Sequence, residues 1–317
     1  MWVDVLNLAL VRERVWLRTE LRSMGSTAEI LIDGDPPLMA QATRRLHELE
    51  ACWSRFDATS ELERLHAARG GWRHISSDLA LALRWCQRMS AETDGLFDPT
   101  VRAALQRWGY DCTFREIDAS DRTSPPQHDR GSCTAPARTL GFELSCDGGR
   151  ARIEPGSSID LGGLGKGLAA DLISADLLSA GANAVYVCLG GDIHAAGEPP
   201  EGGWQVPMLD PRTGVPFAHH TLHDGALVMS TTVLRRWNCG GIEAHHLIDP
   251  RTSAPSRTGV VAVAVAGRSA ARSEALAKSA LIAGEELGAR LLTAAGVTAW
   301  ILTDEAVIVV RGDGALG

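Results

Sequence analysis

The stretch SIDLGGLGKGLAAD, from Ser158 to Asp171, decides how the chain is read. A short extended piece leads to Asp160. Glycines follow at 162, 163, 165 and 167 with Lys166 among them, and the segment from Gly167 to Asp171 opens a helix. Glycines remove side chains where the chain turns, so another group can approach the main chain closely. Bare amides at a helix start, beside a lysine, suit a phosphate. Asp160 cannot hold that anion; it suits a ligand hydroxyl, a ring N–H or a cation. The pattern is not a P-loop, because no Ser or Thr follows the lysine, and it is not G-x-G-x-x-G with a distant acid. A plain glycine turn with a surface lysine is the competing reading.

Working outward, other stretches repeat the theme of acids at element ends, where ligand sites tend to lie. TDGLFDPTV (Thr93 to Val101) puts Phe97 and Asp98 just past a helix end, although Asp-Pro-Thr alone reads as a turn with a helix start behind it. LGGDIHAAG sets bare backbone beside Asp192, and HHLIDPRTSAP joins two histidines to Asp249 and Arg251. A lone histidine pair reads more readily as surface or structure than as catalysis.

Around these motifs the periodicity predicts a strand over STAEILID and a helix over PLMAQATRRLHELEACWSRF with Pro37 near its start. It predicts a short helix over SELERLHAA capped by Ser60, and a longer one over SSDLALALRWCQRMSAETDG capped by Ser76 or Ser77, with Gly95 past its end. From about Asp111 to Arg138, Ser, Pro, Asp and Arg mark a variable loop. NAVYVCLGGDIHAAG reads as strand, turn, strand. GWQVPMLDP, GALVMSTT and GVVAVAVAG read as extended, SEALAKSALIAG and EELGARLLTAAG as helices, and TAWILTDEAVIVVRG as closing strands. No internal repeat or linker divides the chain, so one α+β domain over 1–317 is expected.

The composition is that of an ordinary globular protein: 317 residues, 45% hydrophobic, net charge −8. The acidity argues against broad nucleic-acid binding, since a phosphate backbone would meet net repulsion. The apolar run in MWVDVLNLALVRERVWLRTEL is too short for a secretory signal or a spanning helix, which predicts a cytoplasmic protein. Seven scattered cysteines (52, 86, 112, 133, 146, 188 and 239) include no C-x-x-C pair, so they are expected to be mostly buried small hydrophobes rather than a disulfide framework or zinc site.

MGSTAEI, SRFDATSELERL, TDGLFDPTV…RWGYD, IDLGGLGKGLAAD, LGGDIHAAG, HHLIDPRTSAP and SEALAKSALIAG occur in the order seen in the ApbE-like flavin transferases, from about Met24 to Thr303. The resemblance implies an α+β domain with mixed or antiparallel sheets and packed helices. It implies an FAD:protein FMN transferase that moves FMN from FAD onto a threonine hydroxyl of a partner flavoprotein, as a phosphoester, with release of AMP. It also implies magnesium. By motif, the FAD contacts are expected at Met24, Phe56, Asp57, Ala58, Leu96, Phe97, Asp98, Asp160, Lys166 and Ile248. Metal contacts are expected at Gly163 through its carbonyl, at Glu274, and at Ala277 through its carbonyl. The chemistry of FAD agrees: its diphosphate wants amides and a cation, and its flat ring wants apolar walls such as Phe56 and Phe97. Ordinary core packing is the other reading of both rings.

The chain departs from the family pattern where RSEALAKSALIAG replaces a helix that usually reads ADALAT. Glu274 stands for the Asp and Lys278 for the Thr. Glutamate is an acceptable magnesium ligand. An ammonium is not, and each unit-charge pair it forms with a cation at about 4 Å costs about 4 kcal/mol at an effective dielectric near 20. Either Lys278 replaces the metal by holding the diphosphate, or it points away and magnesium sits on Glu274. As a third reading, Glu274 and Lys278 form an ordinary helix pair worth about 0.3–0.5 kcal/mol. STTVLRRW stands for the usual TSG, and Ser253 replaces a glycine, which would strain a left-handed turn. For the transfer, Lys166 with Lys278 or magnesium is expected to neutralise charge. His246 is expected to accept the proton with an ordinary pKa near 6.5, oriented by Asp249. An FAD hydrolase giving FMN and AMP, or a non-catalytic flavin binder, are the alternatives.

Overall fold

The computed structural model describes Arg14 and residues 16–117 and 140–312. The apolar N-terminal run, most of the 111–138 loop and Cys133 lie outside the described residues. In chain order the elements begin with strands β1 (Trp16–Ser23) and β2 (Ser26–Asp33), helices α1 (Pro37–Trp53) and α2 (Glu61–His66), β3 (Arg73–His74), α3 (Ser77–Glu92) and α4 (Arg102–Arg107). Strands β4 (Phe142–Leu144) and β5 (Arg150–Ile153) lead to helix α5 (Gly165–Ser179). Then come β6 (Ala184–Leu189), β7 (Asp192–Gly197), β8 (Trp204–Leu209), β9 (Pro216–Leu222), β10 (Gly225–Thr231), β11 (Arg236–Cys239), β12 (Ile242–His245), β13 (Ile248–Asp249) and β14 (Ala254–Pro255). Strand β15 (Val260–Gly267), helices α6 (Ala270–Ala283) and α7 (Glu285–Ala294), and strands β16 (Thr298–Thr303) and β17 (Val307–Val310) complete the order.

Eight strands form one sheet in the order β1-β2-β6-β7-β10-β15-β16-β17, and every pairing in it is antiparallel. Because the sheet takes its first two strands from near one end of the chain and its last three from near the other, both halves share one core. Successive strand residues face opposite sides. Ile30 and Ile32 of β2 and Val263 and Val265 of β15 pack with the helices, including Leu168 and Ile173 of α5 and Leu276 of α6. Leu31 and Ala264 point the other way, against Trp204, Val206 and Met208 of the β8–β9 hairpin. With both faces covered, β15 reads as a nearly unbroken apolar run, and β2 does so over its Ile30–Ile32 centre; each fully buried Ile, Leu or Val contributes about 1.5–3 kcal/mol.

The expected caps are in place. The Glu63 N–H donates to Ser60 Oγ at 3.1 Å and the Leu79 N–H to Ser76 Oγ at 3.2 Å. Gly95 takes positive φ beyond α3 and Gly284 does so between α6 and α7. Asp98-Pro99-Thr100 is a turn whose Asp98 carboxylate accepts from the Thr100 N–H and hydroxyl, with α4 behind it. Ser253 does take the left-handed conformation, φ 54°. The described cysteines are all free, but only Cys52, Cys86 and Cys239 are buried; Cys146 is exposed, so the expectation of mostly buried thiols holds for half of them.

Candidate functional site

The glycine stretch runs over the start of α5, where α5 meets α6. Gly167 is fixed by close approach: a Cβ there would lie 2.4 Å from the Ala270 carbonyl oxygen. Asp171, the last residue of the stretch, holds the facing helix. Its carboxylate accepts the Ser269 hydroxyl at 2.7 Å and the Ala270 and Ala271 N–H groups at 2.7 and 3.1 Å. An anion capping a helix N-terminus is favoured by the helix dipole. The α5–α6 seam is therefore pinned at its mouth.

Within this seam sits a cluster of two cations and two anions. Lys166 Nζ donates to Asp192, at the start of β7, and to Glu274 Oε1 at 2.8 Å. Lys278 Nζ donates to the same Glu274 oxygen at 2.7 Å, and the Gly167 N–H donates to Glu274 Oε2 at 2.8 Å. Glu274 is wholly buried, and the side chains of Lys166 and Lys278 are 16% and 13% exposed. Burial works against the Glu274 charge, but the two ammoniums outweigh it and hold the carboxyl at about 2. Burial pushes Asp192 upward despite Lys166. Burial also opposes the Lys166 charge, but Asp192 and Glu274 raise that ammonium's pKa; burial lowers that of Lys278.

His246, between β12 and β13, feels the same lysines. Burial lowers its pKa well below 6.5, and Arg235, Lys278 and Lys166 push it further down. The ordinary value expected for it does not hold: the imidazole is neutral at neutral pH. Its Nδ1 is buried with no hydrogen-bond partner among the described residues. Asp249 does not orient it; that carboxylate holds Arg251 at 2.8 and 3.0 Å.

A second group gathers at the other end of the glycine stretch. Asp160 accepts the Gly162 N–H at 2.8 Å and pairs with Arg55 at 3.2 Å, and its own N–H donates to the Pro99 carbonyl. Arg55 lies 4.1 Å from the centre of the Phe56 ring and 4.5 Å from that of Tyr110. Phe56 is 41% exposed, whereas Phe97 is 4% exposed and packs so closely on Gly163 that a Cβ there would meet its ring at 2.7 Å. Core packing is thus the structural role of Phe97, while Phe56 offers a free face. Leu96 and Asp98 flank Phe97 in the loop joined to Asp160.

Asp57 and Ala58 are exposed beside Phe56, with the Asp57 carboxylate turned onto Thr59. Met24 sits at φ 49° in the β1–β2 turn, its N–H donating to Glu50. The neighbouring Ser26 packs tightly on Gly190, where a Cβ would lie 2.8 Å from its side chain and 3.7 Å from that of Lys166. Ile248 is buried with Tyr110 and Trp237. The motif reading passed over Arg55, Tyr110 and Arg235; the Arg235 guanidinium reaches the Tyr110 hydroxyl at 3.4 Å. Arg55 is adjacent to Phe56 in sequence, but nothing local signals its pairing with Asp160.

The magnesium implied by the resemblance does not fit these donors. Glu274 Oε1 accepts two ammoniums and Oε2 a backbone N–H, so three of its roughly four lone-pair sites are taken. Lys278 points at Glu274, not away from it, and the pair is buried rather than an ordinary surface pair. Among the described residues no group of three or more His, Cys, Asp or Glu is arranged to hold a metal. Gly163 and Ala277 would have only carbonyls to add.

A model of the ApbE family matches residues 24–301. The FAD:protein FMN transferase of Rhodobacter capsulatus is 32% identical over 274 residues, covering 84% of this chain and 50% of that protein, so this chain spans half that relative's length. The FAD:protein FMN transferase of Vibrio cholerae is 24% identical over 285 residues, covering 84% of this chain and 81% of that protein. Among solved structures, the ApbE protein of Thermotoga maritima is similar with a TM-score of 0.82 at 21% identity, covering 94% of this chain and 97% of that one. The flavin transferase ApbE of Vibrio cholerae is similar with a TM-score of 0.76 at 21% identity, covering 94% and 97%. These two likenesses establish the fold.

Proposed function

The chain belongs to the ApbE family, and from that premise we propose that it is an FAD:protein FMN transferase. It takes FAD as substrate, joins FMN to a threonine hydroxyl of a partner flavoprotein and releases AMP. The observation that carries this reading is the pairing of a two-lysine seam at the start of α5 with the Arg55–Phe56–Tyr110–Asp160 group at the other end of the same glycine stretch. A dinucleotide has a charged middle and a flat end, and the two groups match them.

In the reaction, the threonine oxygen attacks the phosphorus on the FMN side. The bond from that phosphorus to the bridging oxygen breaks, and the electron pair leaves with AMP. Phosphoryl transfer of this kind depends mainly on positioning and on neutralising charge at the phosphoryl oxygens. Lys166 and Lys278 neutralise that charge. The hydroxyl proton passes to His246, whose buried ring nitrogen has no hydrogen-bond partner among the described residues, and which becomes an effective base only once the substrate's phosphates offset the cations that hold its pKa down. Phe56 lies along the flavin ring, and Asp160 takes a ring N–H or a ribityl hydroxyl when Arg55 yields. Met24, Asp57, Ala58, Leu96, Asp98 and Ile248 line the same FAD site, and the packed ring of Phe97 backs the glycine turn. Among the described residues no helix is long and apolar enough to cross a membrane.

The test combines purified chain, FAD and a threonine-bearing acceptor peptide. Flavin fluorescence covalently attached to the peptide, with one AMP released per flavin, is the expected result. AMP without an acceptor would make the chain a hydrolase, and bound flavin without any AMP would make it a flavin binder.

A further inference from the structure

We propose that this chain clasps the diphosphate of its dinucleotide with two lysine ammoniums and no divalent cation, Lys166 and Lys278 together supplying the two positive charges of a metal ion. The inference rests on the FAD reading above and adds how the phosphates are held. Glu274 and Lys278 lie one turn apart on the same face of α6, and Lys166 reaches them from α5. Both ammoniums meet on one carboxylate oxygen, at 2.8 and 2.7 Å. A metal ion binding there would have to displace them. Magnesium demands oxygen ligands at about 2.0–2.1 Å in near-octahedral array. The carboxylates at hand, Glu274 and Asp192, already serve ammoniums.

A diphosphate finds what a metal does not. An ammonium carries three N–H donors. Among the described residues, Lys166 spends two of them on Asp192 and Glu274 and Lys278 spends one on Glu274, so three remain. Lysine is a point charge well suited to phosphate oxygens. Asp171 and the close contact at Gly167 hold the two helices that carry the lysines in fixed register. The buried Nδ1 of His246, within the field of both lysines, is a further polar group without a hydrogen-bond partner among the described residues.

The experiment uses the full chain stripped with a chelator. FAD affinity is measured by titration calorimetry in chelator and in magnesium, and Mn2+ binding is followed by electron paramagnetic resonance with and without FAD. The proposal expects equal FAD affinity in both buffers and no Mn2+ held by the chain–FAD complex. It expects Lys278→Thr to weaken FAD binding in chelator by about tenfold, a loss of one lysine–phosphate contact, and to bind one Mn2+ per chain with FAD. Lys278→Met is expected to weaken FAD binding alike in both buffers. One Mn2+ held by the unaltered chain with FAD, or FAD binding strengthened tenfold or more by magnesium, overturns the metal-free site while leaving the transferase reading standing. Failure to bind FAD in any buffer overturns that reading and the site with it. Both wild-type measurements decide the matter even if the variants do not fold.

Discussion

Helices α6 and α7 each carry a glutamate followed four residues later by a cation, Glu274–Lys278 and Glu286–Arg290. The spacing is the same and the distances match, 2.7 and 2.6 Å. The surroundings do not. Glu274 is wholly buried and shares its oxygen with a second lysine, whereas the Glu286 and Arg290 side chains are 85% and 67% exposed. A pair in water contributes little because solvent screens it and the chains pay entropy to meet. A buried pair is costly to break because the survivor is left uncompensated. Between these extremes lies Glu63 of α2, 19% exposed, which holds Arg102 and His66. Identical spacing can therefore mark a site or a surface, and burial decides which.

The comparison is most open to attack at Glu274. Glu274→Gln leaves two buried ammoniums short of an anion, and a loss of about 3–5 kcal/mol in urea unfolding is expected. A loss under 1 kcal/mol would mean that the α6 pair is no different from the α7 pair. Gly167→Ala is expected to cost about 3 kcal/mol, since its methyl must push α6 off the turn that feeds Glu274 its N–H.

Glu63→Gln is expected to cost about 1–2 kcal/mol at neutral pH, a fraction of the buried-pair value because the carboxylate is partly in water. Its pH signature follows from the sign of its shift. Burial raises the Glu63 pKa, but the hydrogen bonds from His66 and Arg102 outweigh it and hold the carboxyl at about 2, against an ordinary 4.5. The contribution is thus complete above about pH 4.5 and fades as the pH falls toward 2. Unfolding followed against pH is expected to lose part of its acid slope in the variant. Smallest of all, Glu286→Gln is expected to shift the midpoint by no more than about 0.5 kcal/mol, less in high salt.

How far the sequence reveals this molecule depends on how local each feature is. Helices α1, α3, α6 and α7 are legible because caps, proline, glycine and periodicity all sit within a few residues. Strand β15 is legible because both its faces are buried. The short strands β3–β5 and β11–β14 carry no such pattern; they are fixed by partners far along the chain. The site divides in the same way. Lys166, Glu274 and Lys278 stand out by motif. The meeting of Lys166 with Asp192, of Arg55 with Asp160, and of three cations around His246 arises only when separate elements pack. That is why the histidine's pKa and the partner of Asp249 are among the expectations that needed correcting.

The second strand of the large sheet has a consequence for how the protein is made. Ile30 and Ile32 lie on a hairpin whose next neighbour, β6, pairs Ile32 with Val185. A ribosome adding about 5–20 residues per second needs on the order of 8–30 s to cover the roughly 150 residues between them. During that interval helix α1, which follows the hairpin directly and packs on it in the finished fold, is at hand to cover its apolar face, while the edge that β6 will take stays unpaired. Until β6 emerges, that open edge is a template on which another chain could pair.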